Sequence, residues 1–129
     1  MFKDTKAFSS FSVDDLQKAK DFYGETLGLE VEEISEGLVL HIAGGAAIFI
    51  YPSDNYTAPK HTVLNFPVSD IEAAVDELAA RGVRMEQYDL PDLKTDERGI
   101  FRDDGDVGPR AIAWFKDPAD HVLSVLEDG

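Results

Sequence analysis

A chain of 129 residues can bury one well-formed core, whereas two domains would leave each half with too little, so a single domain is expected over residues 1–129. Apolar residues at 43% and charged residues at 29% match an ordinary folded globule, and the absence of cysteine removes disulfides, thiolate nucleophiles and cysteine-based metal sites. With 12 basic against 26 acidic residues the formal net charge is -14, which disfavours nucleic acid and anionic lipid as partners; no secretory or membrane-spanning run is present, and the expected location is cytoplasmic.

In chain order, Ala7–Val13 alternates in bulk and polarity and meets Asp14-Asp15, the pattern of a strand running into a helix cap. The spacing predicts a helix over Asp14–Leu27, with Leu16, Ala19, Phe22, Tyr23 and Leu27 on one stripe and Gly28 ending it. A strand then leaves at Leu29-Glu30-Val31. Leu38–Ile42 and Ala46–Tyr51 flank Gly44-Gly45, a hairpin signature, so the first half reads β-α-β-β-β. The polar stretch 53–60 is read as a linker between module one, about 5–52, and module two, about 61–129.

The pattern returns in Val63–Val68, a Ser69-Asp70 cap, and a helix with Ile71, Ala74, Val75 and Leu78 inward, stopping at Gly82. Laid over the first half, Phe66 matches Phe11, Val68 matches Val13, Asp70 matches Asp15, Ile71 matches Leu16 and Ala74 matches Ala19. Gly82 matches Gly28 after one residue of slippage. Further strands are expected at Val83–Tyr88, Arg110–Phe115 and His121–Leu126, with a charged loop over Asp89–Pro109.

Two βαβββ modules, the openings Phe11–Leu16 and Phe66–Ile71, the phrase Phe22-Tyr23-Gly24-Glu25-Thr26-Leu27-Gly28-Leu29, and Asp117-Pro118 before the last strand resemble the vicinal oxygen chelate superfamily of glyoxalases, bleomycin-resistance proteins and extradiol dioxygenases. The resemblance covers nearly the whole chain. It implies an α+β fold in which the two modules form a curved mixed-sheet cup with the helices on its outer face, a ligand inside, and a homodimer. Metal-dependent members of that family carry a His, Gln or Glu seven residues before each capping Asp and a Glu on the last strand of each module. Here those positions hold Phe8, Val63, Ser124 and, by repeat alignment, about Phe49. None matches the imidazole and carboxylate donors that a divalent-metal site needs, so no metal and no other cofactor are expected.

Strand alternation sorts the remaining residues. Phe11, Val13, Leu64, Phe66, Val68, Leu123 and Val125 are assigned to the helix side. Phe8, Ser10, His41, Phe49, Tyr51, Val63, Asn65, Trp114 and Ser124 are candidate ligand-binding residues, with Val122 and Ile112 on the same side. Arg102 and Arg110 bracket Asp103-Asp104-Gly105-Asp106, and Arg102 is a further candidate as a partner for a ligand carboxylate. No catalytic residue can be assigned: the acidic pairs at 14–15 and 69–70 are explained by helix capping. The expectation is a metal-independent protein that sequesters an aromatic or amphipathic small molecule. Two alternatives stand beside it: a metal-dependent lyase, isomerase or dioxygenase with relocated ligands at His41, His61, Glu86 or His121, and an interaction module whose cup is filled.

Overall fold

The computed structural model describes residues 1–103 and 110–127. The chain divides into two compact units, Met1–Ala58 and Pro59–Gly129.

In the first unit, strand β1 (Ser9–Val13) leads into helix α1 (Leu16–Lys20), and strands β2 (Glu30–Ile34), β3 (Gly37–His41) and β4 (Ala47–Pro52) follow. The sheet order is β1-β4-β3-β2, with β1 parallel to β4 and the other pairs antiparallel. The second unit repeats it: β5 (Thr62–Pro67), α2 (Ile71–Ala80), a two-stranded hairpin β6 (Asp89–Leu90) and β7 (Leu93–Lys94), then β8 (Ile100–Arg102), β9 (Ala111–Lys116) and β10 (Val122–Glu127). Its sheet order, β5-β10-β9-β8, again has one parallel pair joining first and last strands. The internal repeat read from residue matches is thus a repeat of strand order, and the mixed sheets with one helix each are the α+β fold expected.

Both helices start alike. The Asp15 carboxylate accepts from the Lys18 N–H and the Asp70 carboxylate from the Ala73 N–H, each at 3.1 Å, which satisfies a backbone donor that the first helical turn leaves unpaired. Gly28 and Gly82, at φ 74° and 85°, turn the chain out of each helix in a conformation that costs other residues a Cβ clash.

The first helix departs from the expected regular span Asp14–Leu27. After Lys20 it widens into π-helical turns over Asp21–Thr26, with the Leu27 N–H reaching the Phe22 carbonyl at 2.9 Å. The wider turn lets Phe22 and Tyr23 pack edge to face at 5.2 Å, and fully buried Tyr23 meets Phe11 of β1 at 6.1 Å. That packing is the physical content of the Phe-Tyr phrase.

In the second unit Val83–Tyr88 is not the strand that its apolar content suggested. It touches the sheet by a single bridge, Met85 to Phe115, and by the Glu86 N–H on the Trp114 carbonyl at 2.9 Å. The strand that corresponds to β2 is β8, inside the stretch read as loop. The rest of that stretch as far as Asp103 contains the β6–β7 hairpin, and 104–109 lies outside the described residues. Arg98 ties the segment down: its guanidinium donates to the Glu72 carboxylate and carbonyl, both at 3.0 Å, and to Asp76, all on α2.

Asp117-Pro118 forms the tight connection from β9 to β10. The buried Asp117 carboxylate accepts from the N–H groups of Ala119 at 2.9 Å and His121 at 2.8 Å, and Asp120 takes φ 68°. His121 is buried.

The core of each unit lies between its helix and one face of its sheet. In the first unit Leu38, Leu40, Ile48, Ile50 and Val13 are buried there, and in the second Ala111, Ala113, Phe115, Leu123 and Val125. Every second residue of the same strands projects to the opposite face of its sheet.

Candidate functional site

On the first unit, strand pairing aligns one row across this opposite face: Ser10 beside Phe49, Phe49 beside Val39, and Val39 beside Glu32. The next row begins Ser12 beside Tyr51. Phe49 and Tyr51, two residues apart on β4, stack with ring centroids 5.6 Å apart and planes inclined by 25°. Tyr51 is 39% exposed, so the stack presents aromatic surface rather than core. At the margin, His41 Nε2 lies 2.8 Å from Glu32 Oε1 across the β2–β3 diagonal.

On the second unit the equivalent row runs Asn65, Ser124, Trp114. Ser124 has no solvent exposure, and its hydroxyl donates to the Asn65 side-chain carbonyl at 2.5 Å. A buried hydroxyl of this kind is stable only because it is bonded. Trp114 meets Tyr88 edge to face, with centroids 5.5 Å apart and planes at 81°. Tyr88 is held by its backbone: its N–H donates to Thr95 Oγ1 at 2.8 Å, and its carbonyl accepts from the Thr95 N–H at 3.0 Å. Partial burial raises the Tyr88 phenol above its ordinary pKa, reinforced by Glu86 and opposed by Lys116, so the ring stays neutral at physiological pH. Glu86 and Lys116 themselves pair at 3.5 Å.

The candidates named from sequence are therefore brought together in two groups. Ser10, Phe49, Tyr51 and His41 share the face of the first sheet turned away from its helix, and Asn65, Trp114 and Ser124 share the corresponding face of the second, where Ser124 is fully buried. Phe8 lies one residue before β1 and is 68% exposed. Val63 sits on β5 where the register with β10 shifts between Val122 and Leu123, so it faces no direct partner in the ladder.

Arg102 requires a correction. Its register partner is Ala111 and its neighbour two residues back is buried Ile100, which puts its side chain on the helix side, where its guanidinium is 3.8 Å from Glu72 of α2. The two-residue strand period excludes it from the face that carries Trp114. Arg110 is exposed, its carbonyl accepting from the Asp103 N–H at 3.0 Å; Asp104, Gly105 and Asp106 lie outside the described residues.

The structure also supplies residues that the sequence reading did not name. Ser12, Val39 and Glu32 follow from the same alternation, and only their less conspicuous chemistry passed them over. Tyr88 could not be found that way, because it belongs to no strand and reaches Trp114 through the hairpin that holds its backbone.

The four positions at which metal-dependent relatives would carry ligands hold an exposed phenyl ring, a stacked phenyl ring, an isopropyl group and a serine hydroxyl already committed to Asn65. This donor set does not fit a divalent metal. The relocated candidates do not replace it: His41 pairs with Glu32, Glu86 pairs with Lys116, and no cluster of three His, Cys, Asp or Glu side chains suited to a metal occurs among the described residues.

A search of curated proteins finds no match. Solved structures match over nearly the full chain. A glyoxalase family protein from Enterococcus faecalis is 25% identical, covering 98% of this chain and 100% of its own, at a TM-score of 0.68. The genomically encoded fosfomycin resistance protein FosX of Listeria monocytogenes is 17% identical, with 95% and 92% covered and a TM-score of 0.67. TnmS3, an antibiotic binding protein from Streptomyces sp. CB03234, is 21% identical, with 98% of each chain covered and a TM-score of 0.63. The family model of the glyoxalase/bleomycin resistance protein/dioxygenase superfamily matches residues 8–125, and the chain belongs to that superfamily.

Proposed function

We propose that this protein binds an aromatic or amphipathic small molecule without a metal and sequesters it rather than transforming it. The observation that carries this reading is the pair of sheet faces turned away from the helices: they present aromatic side chains, Phe49 and Tyr51 on one and Trp114 on the other, beside a few fixed polar groups, and Phe49 and Ser124 stand where a metal-dependent relative needs ligands. Stacking on such surfaces selects planar ligands by shape, and one hydrogen-bonding side chain orients them. The likeness to an antibiotic binding protein supports the same direction. Each polypeptide is proposed to act as one domain, in the cytoplasm and as a homodimer, which light scattering on the purified protein tests.

Trp114 is the sole tryptophan, so its indole N–H gives one resonance that reports on the second face directly. Titration of the whole protein with chromone and with naphthalene, after dialysis against chelator and again with zinc added, is expected to shift that resonance saturably and equally under both conditions, with the probe recovered unchanged. Absence of a saturable shift, or binding that appears only with the metal, overturns the proposal.

A further inference from the structure

Ser124 and Asn65 are not interchangeable polar groups, and the direction of their hydrogen bond has a consequence for the ligand. Ser124 is wholly buried and its hydroxyl proton is directed at Asn65 Oδ1. That bond fixes the flip state of the Asn65 amide, because the reversed amide would donate to the hydroxyl oxygen and leave the buried hydroxyl proton with no acceptor among the described residues. The other end, the NH2 group, has no hydrogen-bond partner among the described residues, and Asn65 is exposed.

The same row places Trp114 on the far side of Ser124. Adjacent strands are about 4.8 Å apart, so the Asn65 amide and the Trp114 ring stand roughly 10 Å apart, about the span of a bicyclic ring with one substituent. Tyr88 meets the indole in a T-shaped contact that fixes the plane of the ring.

We infer that Ser124 holds Asn65 with its NH2 group presented to the ligand, so that the second face selects planar ring systems bearing a hydrogen-bond acceptor, such as an aryl ketone or lactone carbonyl, over rings of equal size that lack one. This rests on the binding role proposed above and adds the ligand's chemistry. Asn65 contacts the ligand; Ser124 acts through Asn65 as a positioning residue. A donor that the bound ligand covers without offering it an acceptor is a strong source of discrimination, since a ring lacking the carbonyl leaves the amide desolvated and unpaired.

The test compares chromone, which has a carbonyl acceptor and no donor, with naphthalene, a bicyclic ring with neither. Binding to the whole protein is followed through the Trp114 indole resonance and through the Asn65 side-chain NH2 resonances, identified by their loss in Asn65→Asp. Chromone is expected to bind at least tenfold more tightly than naphthalene and to shift the NH2 protons downfield. N65D replaces the NH2 donor by an acceptor at constant shape, and should bring the ratio of chromone to naphthalene affinity to about one. Ser124→Ala should lower the ratio of chromone to naphthalene affinity severalfold. Equal binding of the two probes by the parent overturns this inference and leaves the binding role standing. If neither probe binds, both fail. Retention of the chromone preference in N65D also overturns the inference.

Discussion

The two sheets place their side chains on the same grid but fill it differently. By strand register, Ser10 corresponds to Asn65, Phe49 to Ser124, and Val39 to Trp114. The first unit puts its large ring on the last strand, beside a valine; the second puts a serine there and moves the large ring one strand over. Bulk is kept across the row while its position changes, which is the kind of exchange that a sheet face tolerates. The chemistry does not carry over with the bulk. Phe49 makes an apolar, partly exposed stack with Tyr51, whereas Ser124 supports a buried polar contact whose purpose is the orientation of its neighbour.

The largest expected effects come from backbone crowding. A Cβ on Gly37, at the start of β3, would lie 2.1 Å from the Ile50 carbonyl oxygen, a backbone atom that cannot turn aside. Gly99, before β8, would place its Cβ 2.7 Å from the Glu86 carbonyl oxygen. Gly37→Ala is expected to cost about 4 kcal/mol, and Gly99→Ala less, about 2–3 kcal/mol, because the segment at Glu86 is held by one bridge and can shift. Chemical denaturation measures both; equal costs would show that the two hairpins are equally rigid.

Next come the exchanges on the grid itself. Ser124→Phe forces a ring into a fully buried slot beside Trp114 and should destabilise by about 3 kcal/mol, whereas Phe49→Ser, at a half-buried site, should cost about 1 kcal/mol. If bulk is shared along the row, Trp114→Val should recover part of the Ser124→Phe loss. A double-mutant cycle then gives a coupling of at least 1 kcal/mol, and strict additivity would refute the exchange of volume between these strands.

The helix caps give a smaller contrast. Asp15 and Asp70 each cap a helix, but α2 has a second acceptor at its start, the Glu127 carboxylate 2.8 Å from the Ile71 N–H. Asp15→Ala should therefore cost about 1 kcal/mol and Asp70→Ala about half as much, seen as melting shifts of a few degrees. The ranking reverses if the cap of α1 matters little because the π-helical turns carry that helix.

Much of this arrangement was legible in the sequence, and the reason differs between residues. The repeat could be read because the strand-cap-helix unit is written in local signals: alternation in Phe11–Val13, an Asp at each cap, a glycine at each stop. The sorting of Ser10 and Phe49 in the first sheet, and of Asn65, Trp114 and Ser124 in the second, to the side away from the helix followed from the two-residue period alone. Arg102 was misassigned because Asp89–Asp103 was read as loop, and without a strand there is no period to place a side chain on the helix side. Val83–Tyr88 misled for the converse reason: its apolar residues pack the end of α2 and bridge to Phe115, which asks for burial but not for a ladder. Tyr88 was out of reach of pattern altogether, since its position depends on a hairpin that binds its backbone through Thr95.

Tyr88 also supplies the smallest contrast between the two faces. Its phenol is raised above the ordinary value of 10.0, chiefly by burial and then by Glu86, against a lowering influence from Lys116; Tyr51, on the other face, is well exposed. A raised acid means that the folded state favours the protonated phenol. The corresponding stabilisation is fully present below the unfolded-state pKa and is lost as pH rises through the folded-state value. An alkaline titration followed by phenolate absorbance, taken as the difference between the parent and Tyr88→Phe, should isolate a single group that ionises above pH 10. Lys116→Gln should move that group further up, because it removes the one influence that favours the phenolate. A difference curve with its midpoint at or below 10.0 would mean that Tyr88 is hydrated, and the edge-to-face support of Trp114 would go with it.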